Sequence, residues 1–114
     1  MPKKKSLVVF YSRTGTTKKV AEAVSYLLKC DCEEIIDTKK RTGFFGFLKS
    51  GMDATLKRLA KIKDIQKNPK SYRVVIIGTP VWSHTISTPI RTFLELYKNR
   101  LDKVAFFCTQ GGSG

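Results

Sequence analysis

The chain has 114 residues, of which 41% are apolar and 11% aromatic, so it can form one globular domain with a single core. It has no apolar run near the roughly 20 residues of a membrane span. Its first apolar run, residues 7–11, is too short for the core of a secretory signal, so we expect a cytoplasmic protein. Lysine and arginine number 22 against 9 acidic residues, a net charge of +13 that favours acidic proteins, nucleic acids or anionic membrane surfaces as partners.

The three cysteines, Cys30, Cys32 and Cys108, form no CxxC pair, and the chain has a single histidine. These residues are too few for a zinc site, so no metal site is predicted. Cys30 and Cys32 could form a redox pair, but a strand would place both on one face without bonding them. We expect reduced, partly buried thiols.

The first half of the chain shows the alternation of a strand, a helix and a strand. Residues 6–11 (SLVVFY) have the continuous apolar pattern of a strand that is buried on both faces of a parallel sheet. A helical period begins at Thr16, with an apolar stripe of Val20, Ala23, Val24, Leu27 and Leu28. Residues 33–37 (EEIID) predict a weaker, more polar strand near a sheet edge.

The segment between residues 41 and 71 is basic and amphipathic. Its apolar side chains recur at helical spacing among lysines and arginines: Phe44, Phe47, Leu48, Met52, Leu56 and Leu59. The simpler prediction is a helix that covers the sheet. The alternative is contact with a membrane surface or a partner through residues 44–59.

The second half repeats the alternation. Residues 72–78 (YRVVIIG) are the strongest predicted strand, and residues 103–108 (KVAFFC) are a further one. Between them, Pro89 suits the first turn of a helix capped by Ser87 or Thr88, with an apolar stripe of Ile90, Phe93, Leu94 and Tyr97. Strands that alternate with helices across short loops predict an α/β fold, an open doubly wound parallel sheet.

Three loops leave strands at the carboxyl edge of this sheet, where such folds bind ligands. In residues 12–17 (SRTGTT), Gly15 lets the backbone approach an anion, and the hydroxyls and helix N-terminus can donate hydrogen bonds to a phosphate. A plain helix cap would explain part of the pattern. The loop has neither a Walker motif nor a dinucleotide fingerprint.

The other two loops carry a tryptophan and a run of glycines. In "GTPVWSHTISTP", Trp82 is either a lid for the core or a stacking surface for a flat ligand. His84 is more typical of a solvated loop residue than of an acid–base catalyst, and no catalytic residue is predicted. The third loop, "TQGGSG", offers backbone N–H groups or forms a flexible end.

Together these motifs resemble the flavodoxins and flavodoxin-like FMN proteins. "VVFYSRTGTTKKVAEAV" is similar to the family's phosphate loop and "VVIIGTPVWSHTISTPIRTFL" to its second flavin loop. "VAFFCTQGGSG" is similar to its third flavin-contacting strand and loop. The three motifs stand in the family's order, and the resemblance covers essentially the whole chain, residues 1–114, as one FMN-binding domain.

The resemblance implies a five-stranded parallel sheet with FMN held noncovalently at the strand ends. The FMN phosphate would be held by Ser12, Arg13, Thr14, Gly15, Thr16 and Thr17. The isoalloxazine ring would be bordered by Thr79, Pro80, Val81, Trp82, Ser83, His84 and Thr85, with Trp82 as the stacking residue. The ring's polar edge would contact Thr109, Gln110, Gly111 and Gly112.

Two departures from the family shape the functional expectations. The chain stops before the usual fifth strand and last helix, so we expect either a homodimer through the uncovered sheet or a fragment of a longer protein. Flavodoxins are typically acidic, so a basic electron carrier would have an acidic redox partner. Electron transfer is the leading prediction. The alternatives are an FMN-dependent oxidoreductase acting on a quinone or similar acceptor, and a truncated interaction module without cofactor. A nucleic-acid role ranks last because it rests on charge alone.

Overall fold

The computed structural model describes residues 4–37, 62–82 and 85–109, in which strands alternate with helices along the chain. The strands are β1 (Lys4–Phe10), β2 (Asp31–Glu34), β3 (Tyr72–Trp82), β4 (Thr85–Ile86) and β5 (Lys103–Thr109). The helices are α1 (Thr16–Leu28) and α2 (Thr88–Tyr97), and short 3-10 turns span Pro69–Ser71 and Lys98–Arg100. The predicted basic amphipathic segment, residues 44–59, lies outside the described residues.

The long strands run parallel in the order β2-β1-β3-β5, which confirms the predicted open parallel sheet. Leu7 of β1 pairs with Asp31 on one side and Val75 on the other, and Val75 pairs in turn with Val104 of β5. The two-residue β4 is the exception, since it runs antiparallel to the end of β3.

In the described part of the chain one helix packs on each face of the sheet, which is the doubly wound arrangement. Side chains alternate between the faces of each strand, and the α2 face buries the larger cluster, which includes Leu7, Val9, Val75, Ile77, Ile90 and Phe93. The α1 face buries Val8, Phe10 and Ala21, with Val24, Ile76 and Phe107 packed against them. β1 is buried on both faces, as its continuous apolar run predicted.

The second strand lies earlier in the chain than predicted. Residues 33–37 were expected to form it, but β2 is Asp31–Glu34. Polar contacts hold this edge strand: the Tyr72 hydroxyl donates to Asp31 Oδ2 over 2.6 Å, and the Lys67 N–H donates to Glu33 Oε1 over 2.9 Å. The local sequence pattern does not show such long-range partners, so it did not predict the bounds of β2. Its position at the edge of the sheet was predicted correctly.

The apolar stripe predicted for α1 does not face the core as a whole. Its buried residues are Thr17 and Ala21, whereas Val20, Leu27 and Leu28 are exposed. The contact face of α1 is therefore formed by small side chains, and the predicted stripe is wrong for these three larger ones. None of the helices in the described ranges is both long and apolar enough to cross a membrane.

β5 is the most exposed of the parallel strands. Val104 and Phe106, which share one face, are 40% and 52% exposed, and Cys108 beside them is exposed as well. In the described part of the chain β5 pairs only with β3. The prediction of partly buried, free thiols is therefore confirmed for Cys30 and Cys32 and wrong in its burial for Cys108.

Candidate functional site

The three loops singled out in the sequence begin at one edge of the sheet and are joined there by hydrogen bonds. The Tyr11 N–H, just before the first loop, donates to the Gly78 carbonyl, just before the second, over 3.2 Å. The hydroxyls of Thr17 and Thr109 lie 2.6 Å apart and connect the start of α1 to the end of β5. The predicted convergence of these strand ends is therefore present in the fold.

The first loop forms a tight turn into α1. Gly15 has φ of 103°, a conformation that side-chain-bearing residues rarely adopt, and a Cβ atom at this position would have no neighbour within 4 Å among the described residues. The Gly15 N–H donates to the Ser12 hydroxyl oxygen over 2.9 Å, and the Gly15 carbonyl accepts the first backbone hydrogen bond of the helix, from Lys19. Open space next to a backbone of this shape is suited to a ligand that approaches closely.

The donors around this turn suit an anion. The first turn of α1 contains no acidic residue. Its N–H groups can donate to a ligand, because a helix has no preceding turn whose carbonyl groups would accept these hydrogen bonds. Thr14 and Thr16 are exposed, Ser12 and Arg13 are half-buried, and Thr17 is only 2% exposed. The Ser12 hydroxyl already accepts a hydrogen bond from Gly15, and it can still donate its own proton.

The second loop is a short β-hairpin. β3 continues beyond the predicted end at residue 78 to Trp82, and its last residues pair antiparallel with β4 as Val81↔Ile86 and Trp82↔Thr85. Pro80 lies within this extension and pairs with Thr109 of β5 in a parallel ladder. Ser83 and His84 lie outside the described residues.

Two buried hydroxyls close the base of this hairpin. Thr79 Oγ1 lies 2.8 Å from Ser87 Oγ and accepts the Ser87 N–H over 3.0 Å, and both residues are fully buried. Ser87 stands at the cap position of α2 as predicted, but its side chain makes no cap hydrogen bond to the helix. It joins the hairpin to the start of the helix instead.

Arg91 holds β4, the second strand of the hairpin, through a hydrogen bond that was not predicted from the sequence. Its Nη2 donates to the Thr85 hydroxyl over 3.1 Å. Arg91 Nε and Thr88 Oγ1 are buried, and neither has a hydrogen-bond partner among the described residues. A basic residue one turn after the predicted cap could have been noticed, but only the hairpin brings Thr85 within its reach.

The third loop begins at Thr109, whose hydroxyl lies within hydrogen-bond distance of the Thr17 hydroxyl. The remaining predicted residues of this loop, Gln110, Gly111 and Gly112, lie outside the described residues. Of the loop residues that the structure describes, Thr109 is thus the one that connects the predicted ring side of the site to its predicted phosphate side.

The thiols of Cys30, just before β2, and of Cys32, within it, are both free and half-buried. Burial raises the pKa of both the Cys30 and the Cys32 thiol, and the neighbouring Asp31 carboxylate raises that of Cys30 further. A raised pKa keeps a thiol protonated at neutral pH, and the protonated form is the weaker nucleophile.

Comparison with known proteins identifies this arrangement. The family model described as Flavodoxin matches residues 5–114, so the chain belongs to the flavodoxin family. Comparison with curated protein sequences gives no significant match.

Three solved structures share the fold. A flavoprotein from Lactobacillus acidophilus NCFM, in complex with FMN, is 29% identical with a TM-score of 0.83, over 96% of this chain and 77% of that one. A candidate flavoprotein from Bacteroides eggerthii DSM 20697 is 31% identical with a TM-score of 0.84, over 96% of this chain and 72% of that one. A WrbA-like flavodoxin from Agrobacterium tumefaciens, 17% identical with a TM-score of 0.66 over 97% of this chain and 62% of that one, shares the fold alone.

Proposed function

We propose that this chain binds FMN at the three-loop edge and serves as an electron-transfer protein. The observation that carries the proposal is the anion-compatible turn at Gly15, joined by hydrogen bonds to two further loops at the strand ends. The FMN-bound flavoprotein of the same fold, at 29% identity, supports this choice of cofactor.

The residues present fit the phosphate end of FMN. A phosphate needs several donors in a small concave space, and residues 12–17 offer hydroxyls, an arginine and the N-terminus of α1 without an acidic side chain in its first turn. Gly15 leaves room for the phosphate because it has no Cβ atom, which would otherwise extend into the open space next to the turn. Thr14 and Thr16 are exposed and therefore accessible to a ligand.

FMN, when bound, supplies the transfer of one or two electrons, and the protein supplies binding and orientation. The paired ends of β3 and β4 would border the ring, and the Thr79–Ser87 contact and the Arg91–Thr85 hydrogen bond would restrict their movement. We assign Trp82, at the end of β3, to stacking on the ring. A hairpin braced at two points places its residues more exactly than an open loop would.

We propose an acidic protein as the redox partner. The chain carries 22 basic and 9 acidic residues, and opposite charges accelerate the association of redox proteins. Electron delivery should then slow as salt is raised, because screening weakens the attraction between the exposed charges.

The test begins with the absorption spectrum of the purified protein, before and after addition of FMN and removal of the unbound excess. Retained flavin bands support the proposal, and their absence would favour the interaction module without cofactor. The FMN-loaded protein is then mixed rapidly with NADPH. An electron carrier should stay oxidised until a separate flavodoxin reductase is added, whereas immediate bleaching followed by turnover with a quinone would favour the oxidoreductase.

A further inference from the structure

The hydrogen bond between Thr17 and Thr109 joins two residues that the sequence assigned to opposite ends of the ligand. Thr17 is the second residue of α1, on the phosphate side, and Thr109 is the last residue of β5, on the ring side. Their Oγ1 atoms lie 2.6 Å apart, at the short end of the range for hydroxyl pairs. Thr17 is 2% exposed and Thr109 is half-buried, so water competes little for this contact.

In the protein without a ligand, either of the two hydroxyls can be the donor of this hydrogen bond. Each threonine hydroxyl has one proton to donate and lone pairs with which to accept. A phosphate oxygen that carries negative charge can only accept. If the Thr17 hydroxyl touches the phosphate, its single proton must point to the phosphate, and its oxygen must then accept the proton of Thr109.

We infer that Thr109 is a positioning residue for phosphate binding, which donates to Thr17 so that the Thr17 hydroxyl donates to the phosphate of FMN. The inference rests on the proposed FMN function and changes the role of Thr109 within it, from a contact of the ring edge to a support of the phosphate loop. Hydrogen bonds in such a chain polarise one another, so the first donor strengthens the contact of the second.

The inference predicts a difference between two ligands, FMN and riboflavin, which share the isoalloxazine ring and ribityl chain and differ in the phosphate. In Thr109→Val the branched shape is kept and the hydroxyl is lost. Without that donor, Thr17 loses its hydrogen-bond partner and its hydroxyl is no longer oriented. The affinity for FMN should fall about three- to tenfold, the range of one hydrogen bond, while the affinity for riboflavin should change less than about twofold.

The experiment measures dissociation constants for FMN and riboflavin by quenching of flavin fluorescence in wild type, Thr109→Val and Thr109→Ser. Thr109→Ser is the matched control, because it keeps the donor and should bind FMN within about twofold of wild type. Thermal unfolding of each apoprotein shows whether the variants fold. If Thr109→Val does not fold, Thr109→Ala replaces it in the same comparison.

The outcomes separate the inference from the proposed function. An equal loss of affinity for FMN and riboflavin in Thr109→Val would assign Thr109 to the ring and overturn the inference, as would no loss for either ligand. In both cases FMN binding by the wild type would still support the proposed function. A wild type that binds neither flavin would overturn both.

Discussion

Gly78 of β3 lies directly beneath the ring of Phe107 in β5. A Cβ atom at position 78 would be 2.2 Å from Cζ of Phe107 and under 3 Å from both Cε atoms, distances that no packed side chain tolerates. Gly78 and Phe107 are register partners in the parallel ladder, and Phe107 packs against the α1-side cluster. The missing side chain of Gly78 therefore makes room for the ring just before the proposed flavin hairpin.

Gly78→Ala should destabilise the protein by about 1–3 kcal/mol, the usual effect of overpacking, because the ring must move out of its site. Urea unfolding measures the change. The combination of Gly78→Ala with Phe107→Leu should recover part of the loss, since leucine is smaller at the clash. If the losses of unfolding free energy in the two single variants simply add in the double variant, contact with the Phe107 ring is not what excludes a side chain at position 78.

Gly15→Ala should weaken FMN binding with only a modest effect on folding. The positive φ of Gly15 disfavours alanine by about 1–2 kcal/mol, although no neighbour clashes with its Cβ. Gly15→Asn is the control, because asparagine enters this backbone region more readily. Asparagine also places a Cβ atom in the space assigned to the phosphate, so its FMN dissociation constant should rise as that of alanine does, while its stability should lie closer to wild type. Equal affinity in all three would show that the turn does not form the phosphate site.

Arg91→Met should loosen the hairpin by removing the hydrogen bond to Thr85 while it keeps much of the aliphatic bulk. The hairpin is assigned to the ring, so FMN and riboflavin should both lose about three- to tenfold in affinity. This is the opposite pattern to that expected for Thr109→Val. Arg91→Lys, which keeps a donor, serves as the control, and a loss confined to FMN would assign Arg91 to the phosphate instead.

Stability at alkaline pH should depend on Tyr72. Burial, followed by the hydrogen bond to Asp31, raises the pKa of Tyr72 from 10.0 to about 12. The folded state holds this proton more tightly than the unfolded chain does. This difference adds up to about 2 kcal/mol to the free energy of unfolding below pH 10. The contribution is lost as the pH rises through the pKa of Tyr72 in the folded state.

Tyr72→Phe removes the titrating hydroxyl and keeps the ring. The difference in unfolding free energy between wild type and Tyr72→Phe should therefore shrink between about pH 10 and 12. Denaturant unfolding at a series of pH values measures it. A constant difference over this range would mean that folding does not raise the pKa of the Tyr72 hydroxyl.

The homodimer expected from the sequence remains a prediction, and the exposed face of β5 is where we expect it to form. Val104 and Phe106 present apolar surface there. Light scattering after size exclusion should give a mass of about twice 12.9 kDa, and Phe106→Glu should give a monomer. Tyr26→Glu, at an exposed aromatic residue of α1, is the control and should stay dimeric. A monomeric wild type would contradict the prediction.

The order of elements and the convergence of the loops could be predicted from the sequence because both follow from local pattern. The apolar run of β1, the start of α1 at Thr16 and Pro89 in the first turn of α2 are all where the sequence placed them. Parallel strands then bring their carboxyl ends to one edge whatever the side chains are.

The remaining features depend on contacts between distant residues. Thr17 and Thr109 are 92 positions apart, and β2 is held in part by Tyr72 and Lys67 from a later segment. The extension of β3 to Trp82 and its pairing with β4 were not predicted, because they depend on partners that the local pattern does not show. Arg91 acquires its role only once that hairpin has formed.

The most direct test of the proposed function is the affinity of the wild-type protein for FMN compared with riboflavin, measured by fluorescence quenching in phosphate-free buffer. Residues 12–17 are assigned to the phosphate, so FMN should bind at least about tenfold more tightly than riboflavin, the contribution of one or more charged hydrogen bonds. Equal affinities, or no binding of FMN, would contradict a phosphate site at the N-terminus of α1.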